Sequence, residues 1–189
     1  MKLLVSIFLL FLLSCNQQEE PRIAITDTFD TTPSEDTIKE DLYIPDEKTI
    51  RTGNTTPAEV VEFAKTLIGT PYQYASNDPA KGFDCSGFIH YVFSHFHIQV
   101  PRSSVGFTNV EYEVPLADAK PGDLILFTGT DSSVHEVGHM GLITSGGTEK
   151  AFIHSTSGKA HGVTITPLND YYMSRFVKVI RIFKQNDSL

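Results

Sequence analysis

Gly82-Phe83-Asp84-Cys85-Ser86-Gly87-Phe88 is the stretch whose reading organises the rest of this chain. Asp84 is of the residue type that caps helix N-termini, and Phe88, Ile89, Val92, Phe93 and Phe96 follow as an apolar stripe at helical spacing. The reading is a helix that starts at Cys85. In its first turn, unpaired N–H groups and the positive end of the helix dipole favour thiolate over thiol. Gly87 is expected to leave room for a substrate beside the backbone, and the Cys85 amide to help hold an oxyanion. A thiol used in this way needs a base, and the base needs an orienting group.

Candidates for both lie downstream. Val137-Gly138-His139-Met140-Gly141-Leu142-Ile143 reads as a strand, and alternation puts His139 on one face with Val137, Gly141 and Ile143. The next strand, Ala151-Phe152-Ile153-His154, ends in a second histidine. Antiparallel pairing of the two would set His154 behind His139, as the third member of a Cys-His-His arrangement. A lone buried cysteine is more often an inert small hydrophobe, and a lone histidine more often structural. The combination, in this order and on these elements, is what points to chemistry.

Upstream, Thr56-Pro57-Ala58-Glu59 has the form of an N-cap, a proline at the first helical position and a capping-box glutamate. Val60, Val61, Phe63, Ala64, Leu67 and Ile68 then make one apolar helical face, with Gly69 as the stop. From residue 122 onward the texture changes to strand-like runs at 124–127, 137–144, 150–154, 163–166 and 176–183. Helices first and strands afterwards predict an α+β domain, with helices packed on a mainly antiparallel sheet.

The chain has 189 residues, enough for one ordinary domain plus extra segments. Of its 23 acids and 15 bases, ten acids and three bases fall in residues 16–50, so most of the net charge of -8 belongs to that stretch. Residues 51–189 hold 13 acids against 11 bases. A nearly neutral domain offers no broad basic face to phosphate backbones, which argues against nucleic-acid binding. Two cysteines cannot make a disulfide framework.

The N-terminus reads as an address. Lys2 precedes a run over residues 3–13 that is apolar except for Ser6, well short of the roughly 20 residues a membrane-spanning helix needs. The run ends in Leu12-Leu13-Ser14-Cys15, which resembles the lipobox of bacterial lipoproteins. That resemblance implies a signal peptide over 1–14, cleavage before Cys15, and lipidation of its sulfur as a membrane anchor. Asn16 favours an outer-membrane destination, and Gln17-Gln18-Glu19-Glu20 resembles acidic surface-export signals, so the anchored protein faces either the periplasm or the cell surface. Residues 15–50 form a lipidated cysteine and an acidic linker too poor in apolar residues to fold alone, unless Ile23-Ala24-Ile25 or Leu42-Tyr43-Ile44 docks as an edge strand. The catalytic domain is then 51–189.

Several stretches together resemble the NlpC-type cysteine peptidases of bacterial cell walls. They are Gly69-Thr70-Pro71-Tyr72-Gln73-Tyr74, Asp84-Cys85-Ser86-Gly87-Phe88, Val100-Pro101-Arg102-Ser103-Ser104, Lys120-Pro121-Gly122-Asp123-Leu124, Gly138-His139-Met140-Gly141-Leu142-Ile143 and Phe152-Ile153-His154-Ser155. The resemblance implies a papain-like fold with Cys85 as nucleophile, His139 as base and His154 as its orienting partner. It implies that Tyr72 completes the oxyanion hole, and that Asp84, Ser86 and Ser104 line the substrate site and bind the free amino end of a stem peptide. The implied substrate is peptidoglycan, cut after D-γ-glutamate and before diaminopimelate or lysine through a thioester, with no metal or organic cofactor. Two departures fall on the substrate rim: Ala75-Ser76 stands where the family often has a glycine pair, and Val105-Gly106-Phe107 where it commonly has a glutamine. Residues 128–136 are expected to form a flap, and Arg102 is read either as a carboxylate binder or as a structural ion pair.

Alternatives within reach of the same residues are an amidase or acyltransferase on another envelope substrate, and a non-catalytic wall-binding module. His135-Glu136-Val137-Gly138-His139 also has the form of the zinc-metallopeptidase pattern. That pattern works on a helix, where both imidazoles share a face. In the strand predicted here, His135 and His139 would lie roughly 13 Å apart, too far for one ion to bridge.

Overall fold

The computed structural model describes residues 48–188 apart from residue 132, so the lipobox, Cys15 and most of the acidic linker lie outside the described residues. The first helix, α1 (Pro57–Thr66), is started by the capping box expected of it. Thr56 Oγ1 accepts from the Glu59 amide at 3.3 Å, and Glu59 Oε2 accepts from the Thr56 amide at 2.8 Å. The helix stops earlier than the apolar pattern predicts. Leu67 is its C-cap, and Ile68 is 51% exposed rather than part of the buried face.

A small antiparallel pair, β1 (Asn77–Asp78) and β2 (Gly82–Phe83), leads into α2 (Cys85–His95). Asp84 is the N-cap of α2, its carboxylate accepting from the Gly87 amide. Phe88, Ile89, Val92 and Phe93 are fully buried, as the stripe requires. The remaining strands are β3 (Tyr112–Val114), β4 (Leu124–Thr128), β5 (Val137–Ser145), β6 (Ala151–Thr156), β7 (Gly162–Pro167) and β8 (Phe176–Arg181), with a single-turn helix α3 (Asp170–Met173) before the last. They form one six-stranded antiparallel sheet in the order β3-β8-β4-β5-β6-β7. Helices before strands, packed on an antiparallel sheet, is the α+β architecture that the sequence predicts.

The sheet is covered on both faces, and alternation along β4 shows how. Leu124 and Leu126 join α1 and α2 in one core cluster, while Ile125 and Phe127 join Ile143, Phe152 and Tyr172 in a second. A strand buried on both sides reads as a continuous apolar run, which is why residues 124–127 show no polar alternation. At the end of β8, Arg181 forms a fork on fully buried Asp123, with Nε to Oδ1 at 3.2 Å and Nη2 to Oδ2 at 3.0 Å. Asn186 Nδ2 donates to the same Oδ1 at 3.1 Å and to the Pro121 carbonyl at 3.0 Å. The Pro-Gly-Asp-Leu turn is thus locked to the C-terminus by a charge-assisted network.

Gly87 has a different reason from the one its position suggests. A Cβ there would lie 2.0 Å from the carbonyl oxygen of Ser76, so glycine is needed for α2 to abut that loop, not for a substrate to approach. The Asp84 amide donates to the same Ser76 carbonyl at 3.0 Å, fixing where the helix starts. Gly87→Ala should therefore cost about 1–3 kcal/mol of stability in a denaturant melt. Gly129→Ala, whose Cβ would meet nothing within 4 Å, should stay within about 0.5 kcal/mol.

Candidate active site

Cys85 reaches the site from the helix side and the two histidines from the sheet. Three links hold these parts together. The backbone amide of Met140, the residue after His139, acts on the Cys85 thiol together with those of Ser86 and Cys85 itself, each favouring the anion. Fully buried Ser155, the neighbour of His154, donates its hydroxyl to the Phe83 carbonyl at 2.7 Å, two residues before the thiol. That carbonyl also accepts from the Gln73 amide at 3.1 Å, which carries the Tyr72 segment into the same frame.

The histidines meet as the strand pairing demands. Leu142 pairs with Ile153 and Ile143 with Phe152, so continuing the register sets His154 across from Gly141 and diagonal to His139. Gly141 clears the space, since a Cβ there would lie 2.5 Å from Phe152 Cδ2 and 3.2 Å from His154 Cβ. His139 Nε2 and His154 Nδ1 are 2.8 Å apart, and His154 Nε2 lies 3.0 Å from Thr166 Oγ1 on β7. Phe127 and Tyr172 stack beside the His139 ring, at 6.1 and 6.2 Å between centroids. Tyr172 packs against both imidazoles.

His139 lies within β5, not on a helix, and His135 is exposed in the loop before it. The helical geometry that the His-Glu-x-x-His pattern needs is therefore missing from this segment.

Burial dominates the electrostatics. The Cys85 thiol is pushed up to about 11, first by burial and then by the Asp84 carboxylate, against the lowering effect of the three amides. The sequence reading weighed only the helix end, and burial outweighs it. His139 is held down to about 4, by burial and then by the Arg175 charge. His154 is lowered to about 3, by burial, then His139, then Arg175. At neutral pH the resting pair is accordingly a thiol and a neutral imidazole. The Tyr72 phenol is raised, first by burial and then by Cys85, so it keeps its proton as a donor.

Two neutral imidazoles in contact share one proton. If it runs from His139 Nε2 to His154 Nδ1, and on from His154 Nε2 to Thr166, a lone pair is left on His139 Nδ1. The Thr166 hydroxyl can accept or donate, so it satisfies His154 in either direction. Thr166 was not identified from sequence, because a threonine in a strand is an ordinary β-former.

Cys85, His139 and Tyr72 line a single cleft of about 1010 Å³. Asp84, Ser86 and Arg102 form a group beside it. Arg102 Nη2 donates to Asp84 Oδ2 at 2.9 Å, and Nη1 to Asp84 Oδ1 and to Ser86 Oγ, both at 3.1 Å. Arg102 is thus the structural partner of Asp84, the second of its two readings. Ser104 is half-buried at the start of a 3-10 turn (Ser104–Phe107) that packs on β5. Ala75, where the family often has glycine, sits at φ 56°, so the backbone there keeps a glycine-like conformation without the glycine. Gly129 and Thr130, from the segment expected to be a flap, line the cleft.

A thiol at a helix start, opposed by a sheet-borne histidine that another side chain holds in place, defines the papain-like class of fold. Within that class the chain belongs to the NlpC/P60 family, whose family model matches residues 69–181. It is similar to a gamma-DL-glutamyl hydrolase of Bacillus subtilis, with 33% identity over 129 residues that cover 67% of this chain and 30% of that protein. It is equally similar to the peptidoglycan endopeptidase RipB of Mycobacterium tuberculosis, with 33% identity over 130 residues, 62% of this chain and 50% of that one. A solved NlpC/P60 family protein of Bacillus cereus aligns with a TM-score of 0.61 at 27% identity, over 72% of this chain and 42% of that one. The alignments thus span 30–50% of the length of these curated relatives.

Thr166→Val should leave His154 Nε2 without a partner and lower kcat about five- to tenfold, roughly 1–1.4 kcal/mol. Thr166→Ser should restore most of it, and equal loss in both variants would speak against the hydroxyl. The titrations also set a pH profile. With Cys85 as nucleophile and His139 as its base, activity is expected to need His139 neutral, falling only as pH drops toward about 4, and to need the Cys85 proton, holding until pH climbs toward about 11. A kcat/KM plateau from about pH 5 to about pH 10 is expected with a soluble peptide substrate. An alkaline limb near pH 8–9 would instead mark a resting imidazolium.

Proposed function

We propose that this protein is a cysteine endopeptidase that hydrolyses peptidoglycan stem peptides. The observation that carries the reading is the chain from His139 through His154 to Thr166, set in the same cleft as Cys85. Membership of the NlpC/P60 family and similarity to proteins named gamma-DL-glutamyl hydrolase and peptidoglycan endopeptidase support the substrate class. The bond we assign is the one after D-γ-glutamate, before diaminopimelate or lysine. Lipidation at Cys15 and attachment to the outer membrane complete the proposal, and would keep the domain at the wall it acts on.

With a neutral resting pair, attack and deprotonation are coupled. As Cys85 Sγ bonds to the scissile carbonyl carbon, its proton passes to His139 Nδ1, whose other nitrogen is held by His154. The Cys85 amide and the Tyr72 phenol donate to the developing oxyanion. Collapse of the tetrahedral intermediate breaks the C–N bond, and the His139 imidazolium gives its Nδ1 proton to the departing amine. Water, deprotonated by His139, then cleaves the thioester and releases the γ-carboxylate and the thiol. In this reading Asp84 and Ser86, braced by Arg102, and Ser104 take the acyl side of the peptide.

Mass spectrometry of muropeptides incubated with the protein tests this. The wild type is expected to release the amine-side fragment, Cys85→Ala and His139→Ala to lose at least a thousandfold in rate, and chelation to change nothing. Cleavage by Cys85→Ala would refute the mechanism, and an acylated product would turn the reading to transfer.

A further inference from the structure

A peptidase must also hold the amine it releases. His139 is the group that protonates that amine, so the leaving side of the peptide lies on the histidine side of Cys85. There the cleft is walled by β7, α3 and the segment 156–160, and its cationic lining residues are Arg175 and Lys159. Among the described residues, no aspartate or glutamate lines it. Asp170, the acid nearest to Arg175 along the chain, is exposed on the first turn of α3 and is not part of the wall.

Arg175 is half-buried and its position is fixed. Nε donates to the Gly129 carbonyl at 3.1 Å, Nη1 to the Tyr171 hydroxyl at 2.7 Å and Nη2 to the Thr128 carbonyl at 2.7 Å. Those bonds use three of its five N–H groups and leave one on each terminal nitrogen, a fork that suits a carboxylate. None of the three acceptors is charged, so the guanidinium keeps its full charge toward the cleft. Its influence on both imidazoles shows that its field reaches the reacting centre.

Resting on the peptidase reading above, we propose that Arg175, assisted by Lys159, is a carboxylate-binding subsite for the residue after the scissile bond. The enzyme then selects stem peptides whose third residue carries a second, free carboxylate, as diaminopimelate does. The lysine side chain ends in an ammonium alone and offers no carboxylate to the same two cations. Amidated diaminopimelate keeps the shape and loses the charge.

The test is kcat/KM for three tripeptides, each with its C-terminal α-carboxylate blocked as the amide: L-Ala-γ-D-Glu followed by meso-diaminopimelate, by its side-chain amide, or by L-lysine. Wild type should favour the free acid over the other two by about ten- to a hundredfold, the range of a hydrogen bond to a charged group. Arg175→Gln should bring the acid-to-amide ratio within about twofold, and Lys159→Gln should lower it less. Any effect of Arg175 on His139 is common to all three peptides and cancels in the ratio, which separates substrate binding from tuning of the base. Equal cleavage of acid and amide by wild type, or an unchanged ratio in Arg175→Gln, overturns the subsite while leaving the peptidase reading intact. Failure to cut any of the three defeats the peptidase reading and the subsite with it. Should Arg175→Gln not fold, the wild-type acid-to-amide ratio and Lys159→Gln, an exposed position, decide the matter.

Discussion

The contact between His139 Nε2 and His154 Nδ1, at 2.8 Å, is the constraint on which the site turns. Once Nε2 is engaged, Nδ1 is the one nitrogen left to His139, and it is the one the proposed mechanism uses to take the Cys85 proton. The ring plane is fixed by the same contact and by the aromatic rings of Phe127 and Tyr172 beside it. A neutral third member differs from a carboxylate in one respect. It orients the base without adding the negative charge that would raise its basicity. Burial and Arg175 then push His139 further toward the neutral form.

That choice has a consequence for the thiol. A strongly basic histidine could draw off the Cys85 proton before substrate arrives, whereas a weakly basic one takes it only as the sulfur begins to bond to carbon. The backbone amides of Ser86, Met140 and Cys85 favour the anion, but burial and Asp84 outweigh them. Holding Cys85 as a thiol also protects it, because oxidation and alkylation proceed through the thiolate. Asp84 caps α2 and anchors Arg102, so the same carboxylate that raises the thiol also builds the helix start.

Much of this was legible in the sequence, for reasons that differ by element. The start of α2 is a local matter of one cap and an apolar stripe, and both are visible in seven or eight residues. The pairing of His139 with His154 follows from strand alternation and from the short connection between two adjacent strands. The two-residue strands β1 and β2 and the edge strand β3 were not read, since so few residues show no periodicity. The apolar spacing carries the expected end of α1 two residues too far, because Leu67 and Ile68 continue it although the chain there has already turned toward the Gly69 carrying φ of 88°. Gly87, Thr166 and Arg175 owe their roles to residues far away in the chain: Ser76 and its carbonyl, His154, and the cleft wall. No local pattern encodes such contacts.

Long-range nitrogen-15 spectra of the histidine rings, recorded on the wild-type protein at neutral pH, test the central claim most directly. Neutral rings protonated at Nε2 and bare at Nδ1 are predicted for both His139 and His154, assigned by comparison with His154→Asn and Cys85→Ala. An imidazolium at His139, or a neutral ring with its proton on Nδ1, would contradict it.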